Sequence, residues 1–243
     1  MSDFGIIGIG RIGTSMARNM SSKGIIVSLF DKSHNSLDNL KNDYPELDSS
    51  LVFDDINKFI SSISKPRKVL ILVPSGPALD EVISLLIQHL DSNDILIDGG
   101  NTNPNVSFEN HQTIKSKNLL YLGMGVSGGV KGVLEGPSIM IGGDTNAFNQ
   151  VKNIFSQITS KTINGSKSFE FFGDSNQGHF VKMIHNGIEY VEMQLISSIY
   201  YLMINSKKYM YEDVTKIFKK WNDIDLNSYL LEISLLKLTE KID

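Results

Sequence analysis

Five side chains able to do chemistry crowd one short segment, GHFVKMIHNGIEY (178–190): Lys182, His185, Asn186, Glu189 and Tyr190. At about 100° per residue they fall within an arc of roughly 140° on one helix face. Val181, Ile184, Ile188, Val191 and Leu195 fall on the other side. An ammonium, an imidazole, an amide, a carboxylate and a phenol on one stripe are the groups of proton-transfer chemistry on a polar substrate. Lys182 and Glu189 are two helical turns apart, roughly 10 Å along the axis. That offset suits two groups addressing different carbons of one extended molecule. A lysine base must be neutral near pH 7, which needs desolvation or cationic neighbours. A carboxyl acid must keep its proton, which needs burial. The plainer alternative for such a stripe is a solvated helix face.

The elements that position this stripe can be read from the rest of the chain. The apolar runs FGIIGI (4–9), IIVSLF (25–30), KVLILV (68–73), DILIDG (94–99) and LLYLGMG (119–125) are short and bounded by Gly, Pro, Asp or Asn. Buried parallel strands read this way, because helices cover both faces. Segments between them, such as PALDEVISLLIQHL (77–90), carry helical spacing. The alternation predicts a Rossmann-type doubly wound α/β sheet, mostly parallel. A strand at 138–143 and a helix from 145 to 157 complete a dinucleotide-binding domain over 1–174. Beyond it, helices at 175–204, 211–221 and 226–241 predict the first helices of an all-α domain, 175–243. The last of these is apolar on more than one face, so something is expected to cover it. Tyr200, Tyr201, Tyr209 and Tyr211 read as packing residues, and His34, His89 and His111 as surface residues.

GIGRIG places Gly8, Gly10 and Gly13 in a G-x-G-x-x-G directly after a strand and before a helix. Such a loop lets backbone approach a pyrophosphate at a helix N-terminus. Asp31 ends the second strand, where a carboxylate bonds ribose hydroxyls and favours NAD over NADP. Lys32 and Ser33 follow it and leave a phosphate contact open.

Composition narrows the classes. A net charge of −4 without blocks of like charge gives no electrostatic case for nucleic acid. No apolar run approaches the ~18 residues of a membrane span. With no cysteine, disulfide and thiolate chemistry are excluded. No His or acidic cluster has metal-ligand spacing. The expected setting is cytoplasmic.

The motifs DGGNTNPN (98–105), GMGVSGGVKGVLEGPSIMIGG (123–143), GHFVKMIHNGIEYVEMQLI (178–196) and WNDIDLNSYLLEI (221–233) together resemble the decarboxylating 6-phosphogluconate dehydrogenases of the pentose phosphate pathway and gluconate utilization. The resemblance implies oxidation of 6-phosphogluconate to ribulose 5-phosphate and CO2, with reduction of NAD(P). It implies Lys182 as general base and Glu189 as general acid. It places the sugar acid on Asn101, Ser127, Gly128, Gly129, His185, Asn186 and Tyr190. It places the cofactor on Gly8, Gly10, Arg11, Ile12, Gly13, Asp31, Lys32, Ser33, Val73 and Asn101. Family members are usually much longer, and the expected absences include phosphate-binding cations and most of the dimer interface. Departures from the family pattern include Asp31-Lys32-Ser33, Pro74, and Val130, Lys131, Leu134 and Glu135. Three outcomes follow: an active dehydrogenase of truncated kind, a cofactor-binding remnant or half enzyme needing a partner chain, or a dehydrogenase of an unphosphorylated hydroxy acid. A homo-oligomer or partner chain covering the C-terminal helices is expected.

Overall fold

The computed structural model describes residues 1–33, 40, 44, 47, 51–162, 164–224 and 226–239. It divides into two compact units, Met1–Met183 and Ile184–Asp243.

The first unit is built on an eight-stranded sheet: β1 (Phe4–Ile7), β2 (Val27–Phe30), β3 (Val52–Phe53), β4 (Lys68–Ile71), β5 (Ile95–Asp98), β6 (Leu120–Ser127), β7 (Ser138–Gly143) and β8 (Phe169–Phe171). Their order across the sheet is β3-β2-β1-β4-β5-β6-β7-β8. All neighbours pair in parallel except β6 with β7, so the expected mostly parallel sheet is present. The helices of this unit are α1 (Arg11–Ser22), α2 (Ile56–Ser62), α3 (Pro77–Ile87), α4 (Pro104–Lys115), α5 (Gly129–Glu135), α6 (Thr145–Ile158) and the start of α7 (Gln177–Asn205). Two short strands, β3 and β8, were not expected from the sequence. Two or three residues carry too little periodicity to stand out, and both strands take their register from longer neighbours.

Apolar strand residues fill two layers. Phe4, Ile6, Leu29, Leu70, Leu122 and Met124 pack on one side, and Ile7, Phe30, Val69, Ile71, Leu96 and Tyr121 on the other. That both sides are filled explains why the central strands read as continuous apolar runs.

The second unit contains the continuation of α7 with α8 (Tyr211–Asp223) and α9 (Tyr229–Thr239). Its core is small: Val214, Phe218, Leu231 and Leu238, flanked by residues including Tyr200, Tyr211 and Trp221. The packing role expected of Tyr200 and Tyr211 therefore holds, whereas Tyr201 and Tyr209 are exposed. His111 is another correction, being buried within the first unit. His89 is half-buried against the Leu85 carbonyl, and His34 lies outside the described residues.

Candidate active site

The residues assigned to a nucleotide all follow the carboxyl ends of parallel strands. Gly8, Gly10, Arg11, Ile12 and Gly13 follow β1, Asp31, Lys32 and Ser33 follow β2, Val73 follows β4, and Asn101 follows β5. In open α/β sheets that edge, at the point where strand order reverses, is where ligands bind. Here the reversal lies between β1 and β4.

The glycine loop is shaped by close approach. Gly8 has φ +93, and a Cβ on Gly13 would stand 1.9 Å from the Gly8 carbonyl oxygen. A Cβ on Gly10, in contrast, would meet nothing within 4 Å. Gly10 is also the N-cap of α1 and supplies no side-chain hydrogen bond to it. A helix N-terminus with open space at its Gly10 N-cap fits a pyrophosphate.

Asp31 is held at both oxygens: Ile9 N donates to Oδ2 at 2.8 Å and Ser33 N to Oδ1 at 2.8 Å. The carboxylate is thus fixed between the glycine loop and the end of β2, with lone pairs remaining for further donors. Lys32 forms an ion pair with Glu81 on α3. Arg11 and Ser33 are exposed, Ile12 and Val73 half-buried.

Ser127 closes β6, and Gly128 and Gly129 turn the chain into α5 with φ +131 and +59. Asn101 is exposed, two residues after the Gly99 amide bonds the Ile71 carbonyl.

Lys182 is buried, 7% exposed, in the first turns of α7. The sequence around β6 explains how a lysine is accommodated. Tyr121, Gly123 and Gly125 alternate on one face of the strand, and the two glycines leave it bare. A Cβ on Gly125 would stand 2.3 Å from Lys182 Cβ, and one on Gly123 would stand 2.9 Å from His179 Nδ1. Gly178 makes the reciprocal approach: its Cβ would lie 2.3 Å from the Gly123 carbonyl oxygen and 2.6 Å from Gly142 N. The helix therefore meets the sheet backbone to backbone, with Lys182 laid along β6.

Beneath it runs a buried polar chain that the motif reading missed. His179 Nδ1 lies 2.8 Å from Ser107 Oγ, Ser107 Oγ lies 3.0 Å from Tyr121 OH, and Tyr121 OH donates to Asp98 Oδ2 at 3.4 Å. Asp98 Oδ1 accepts from Gly100 N at 3.0 Å, shaping the turn that leads to Asn101. Burial, reinforced by the neighbouring Asp98 carboxylate, pushes the Tyr121 phenol well up. Burial also lowers the His179 pKa, against the opposing pull of Asp98, so its ring is neutral at neutral pH. A second layer lies behind: His111 stacks on Tyr121 at 5.4 Å and approaches Asp144 Oδ2 through Nε2 at 3.2 Å. Tyr121 N donates to the same oxygen at 2.8 Å. Burial raises the Asp144 pKa, but the His111 and Tyr121 hydrogen bonds outweigh it and hold the carboxyl below 3.8. Two signals in the sequence mark this layer: the Gly123/Gly125 alternation, and His179 one turn before Lys182.

The remaining stripe residues continue along α7 in the second unit. His185 Nδ1 stands 3.7 Å from Glu189 Oε2 and 3.4 Å from Asn186 Oδ1. The Glu189 side chain is 39% exposed, so the described residues do not give it the burial that a proton-holding carboxyl requires. Tyr190 is 68% exposed.

A doubly wound sheet with a glycine loop after its first strand defines a dinucleotide-binding domain. Residues 3–166 match the NAD binding domain of 6-phosphogluconate dehydrogenase, and residues 178–243 match the C-terminal domain of the same enzyme. The chain belongs to the 6-phosphogluconate dehydrogenase family. It is 38% identical over 230 residues to the decarboxylating 6-phosphogluconate dehydrogenase of Staphylococcus epidermidis, covering 95% of this chain and 49% of that one. With the Staphylococcus aureus enzyme it shares 39% identity over 245 residues, 97% of this chain and 51% of the other. The solved 6-phosphogluconate dehydrogenase of Plasmodium falciparum, studied apo, with NADP+ and with 6-phosphogluconate, superposes with a TM-score of 0.89 at 37% identity, over 97% of this chain and 50% of that chain. A 3-hydroxyisobutyrate dehydrogenase of Mycobacterium tuberculosis shares the fold, with a TM-score of 0.74 at 19% identity, covering 95% of this chain and 73% of the other. The chain spans about half the length of the curated relatives it matches.

Proposed function

We propose that this chain carries the nucleotide site and the proton-transfer lysine of an enzyme that oxidises and decarboxylates 6-phosphogluconate to ribulose 5-phosphate and CO2. The observation that carries the proposal is Lys182, 7% exposed, laid on a strand face cleared for it by Gly123 and Gly125. Removal from water is what a proton-accepting lysine requires. The nicotinamide, when bound, supplies the hydride acceptor. Lys182 takes the proton of the C3 hydroxyl as C3 is oxidised, which leaves a β-keto acid whose C1–C2 bond breaks to release CO2. Glu189 then returns a proton to C1 of the resulting enediol. Asn101, Ser127, Gly128, Gly129, His185, Asn186 and Tyr190 are the residues assigned to the sugar acid. Gly8, Gly10, Arg11, Ile12 and Gly13 receive the pyrophosphate, while Asp31, Lys32 and Ser33 receive the adenosine ribose. Asp31 favours NAD, because a second carboxylate, Glu81, engages the lysine that would otherwise meet a 2′-phosphate.

A second reading is favoured by the exposed apolar side of α7, where Ile188, Val191 and Leu195 are 59, 59 and 57% exposed. In that reading another chain covers these helices, and turnover depends on it.

One experiment tests the main proposal. NAD+ and NADP+ are titrated into the protein, and reduced cofactor and CO2 are followed on adding 6-phosphogluconate. Turnover is expected, with tighter binding of NAD+. Lys182→Ala should lower kcat by about 10²–10⁴-fold while leaving cofactor affinity nearly unchanged. No reduced cofactor at high enzyme concentration would overturn the activity, and tighter NADP+ binding would overturn the assigned preference.

A further inference from the structure

We propose that His179 is a positioning residue for Lys182, tying the first turn of α7 to the Asp98–Asn101 turn through the buried hydrogen-bonded chain His179–Ser107–Tyr121–Asp98. The inference rests on the reading of Lys182 as the base, but its geometry stands apart from turnover.

Every member of the chain is shut away from solvent. Asp98, Ser107 and Tyr121 are 0% exposed and His179 2%. They come from four elements, β5, α4, β6 and α7, which include those carrying Asp98 and Lys182. Facing the imidazole are Asp98 from β5, Ser107 from α4 and Tyr121 from β6, with Lys182 following on α7 itself.

Each link is a short contact between groups from different elements. His179 Nδ1 lies 2.8 Å from Ser107 Oγ on α4, and Ser107 Oγ lies 3.0 Å from Tyr121 OH on β6. Tyr121 OH donates to Asp98 Oδ2 at 3.4 Å, and Asp98 Oδ1 accepts from Gly100 N at 3.0 Å. Nε2 makes no hydrogen bond among the described residues, so Nδ1 alone ties the ring to the chain. The imidazole is thereby a strut: Ser107 fixes its Nδ1 edge, the chain ends on the carboxylate that shapes the turn before Asn101, and Lys182 rides one helical turn further on.

The test compares His179→Leu, which removes the strut, with His179→Asn, whose side-chain amide can still pair with Ser107. His179→Leu should lower kcat by about 10- to 100-fold with cofactor affinity kept within about two-fold, and His179→Asn should recover most of the loss. Amide hydrogen exchange across 98–101 should speed up in His179→Leu and not in His179→Asn, while β1 and α1 stay protected. Unchanged exchange, or an Asn variant as impaired as the Leu variant, would overturn the proposal. Should His179→Leu fail to fold, Ser107→Ala removes only the bridging hydroxyl and carries the same comparison. A wild-type protein without turnover would count against the catalytic reading, and the exchange measurement, which needs no turnover, would still decide this one.

Discussion

Helix α7 behaves in opposite ways along its length. Up to Lys182 it buries a glycine, a histidine and a lysine, while from Met183 to Asn205 none of its residues is buried. Yet the second stretch contains the greasier side chains: Met183, Ile184, Ile188, Val191, Met193 and Leu195 are each about half or more exposed, at 46–59%. An ordinary surface helix would be reversed, with its apolar stripe inward and its charges out. The difference lies in what each stretch meets. The first turn meets strand faces without side chains, so there is room for backbone and for the stems of His179 and Lys182, and His179 Nδ1 joins Ser107 in a buried network. Burial at that end is a property of the sheet, and the helix sequence supplies only the chemistry.

Filling the gap should therefore break the buried end with the largest effect. A Cβ on Gly178 would stand 2.3, 2.6 and 2.7 Å from the Gly123 oxygen, Gly142 nitrogen and Met140 oxygen, all of them backbone atoms that cannot rotate away. Gly178→Ala should cost about 1–3 kcal/mol, since overpacking displaces the helix from the sheet. For a chain of this size that lowers Tm by roughly 2–4 °C per kcal/mol. Ile184→Ala, six positions on and 46% exposed, should change stability by less than about 0.5 kcal/mol. Equal losses in thermal melts of the two variants would show that the contrast between the ends of α7 is unreal.

A smaller effect should come from the layer behind the network. Asp144 is the N-cap residue of α6, yet its Oδ2 serves Tyr121 N and His111 instead of that helix. Its folded-state pKa lies below the unfolded value, so its stabilisation is fully present above pH 3.8 and is lost as pH falls through the folded pKa. Asp144→Asn should cost about 1 kcal/mol near pH 7, a hydrogen-bonding contribution discounted for partial exposure. The gap between the two proteins in urea melts should close as the pH is taken below 3.8. A gap that persists unchanged to lower pH would mean that Asp144 acts through shape alone.

Much of this was legible before any coordinates. The parallel strands announce themselves as short apolar runs because both faces are covered, and the glycine loop because its spacing has a geometric reason. The stripe on α7 was legible as chemistry but not as two environments: helical periodicity groups residues by face and says nothing of what each turn meets. His111, set among polar residues in NHQT, read as a surface residue because side chains from β6 and the start of α6 supply its surroundings. His179 was overlooked for a similar reason, as its partners Ser107, Tyr121 and Asp98 are distant in sequence and meet only when the sheet forms. The alternation of Gly123 and Gly125 was the available clue. Two glycines at a period of two strip one face of a strand, and a bare face inside a core implies an element pressed against it.

The exposed end of α7 yields the smallest change in stability and the sharpest test of what the second unit is for. Ile188 and Val191 are each 59% exposed and lie one turn apart, part of an apolar side too broad to be incidental. Replacing both with serine removes little buried area, so urea melts at low protein concentration should shift by less than about 0.5 kcal/mol. Association should respond far more, because contact between such faces scales with the apolar area each one offers. Light scattering across a concentration series should show a smaller mean mass for the double variant, and binding of a hydrophobic dye should fall with it. A loss of 2 kcal/mol or more at low concentration would mean that these side chains already pack within a single chain. An unchanged mass at every concentration would remove the case for a cover, and with it the reading in which turnover waits on a second chain.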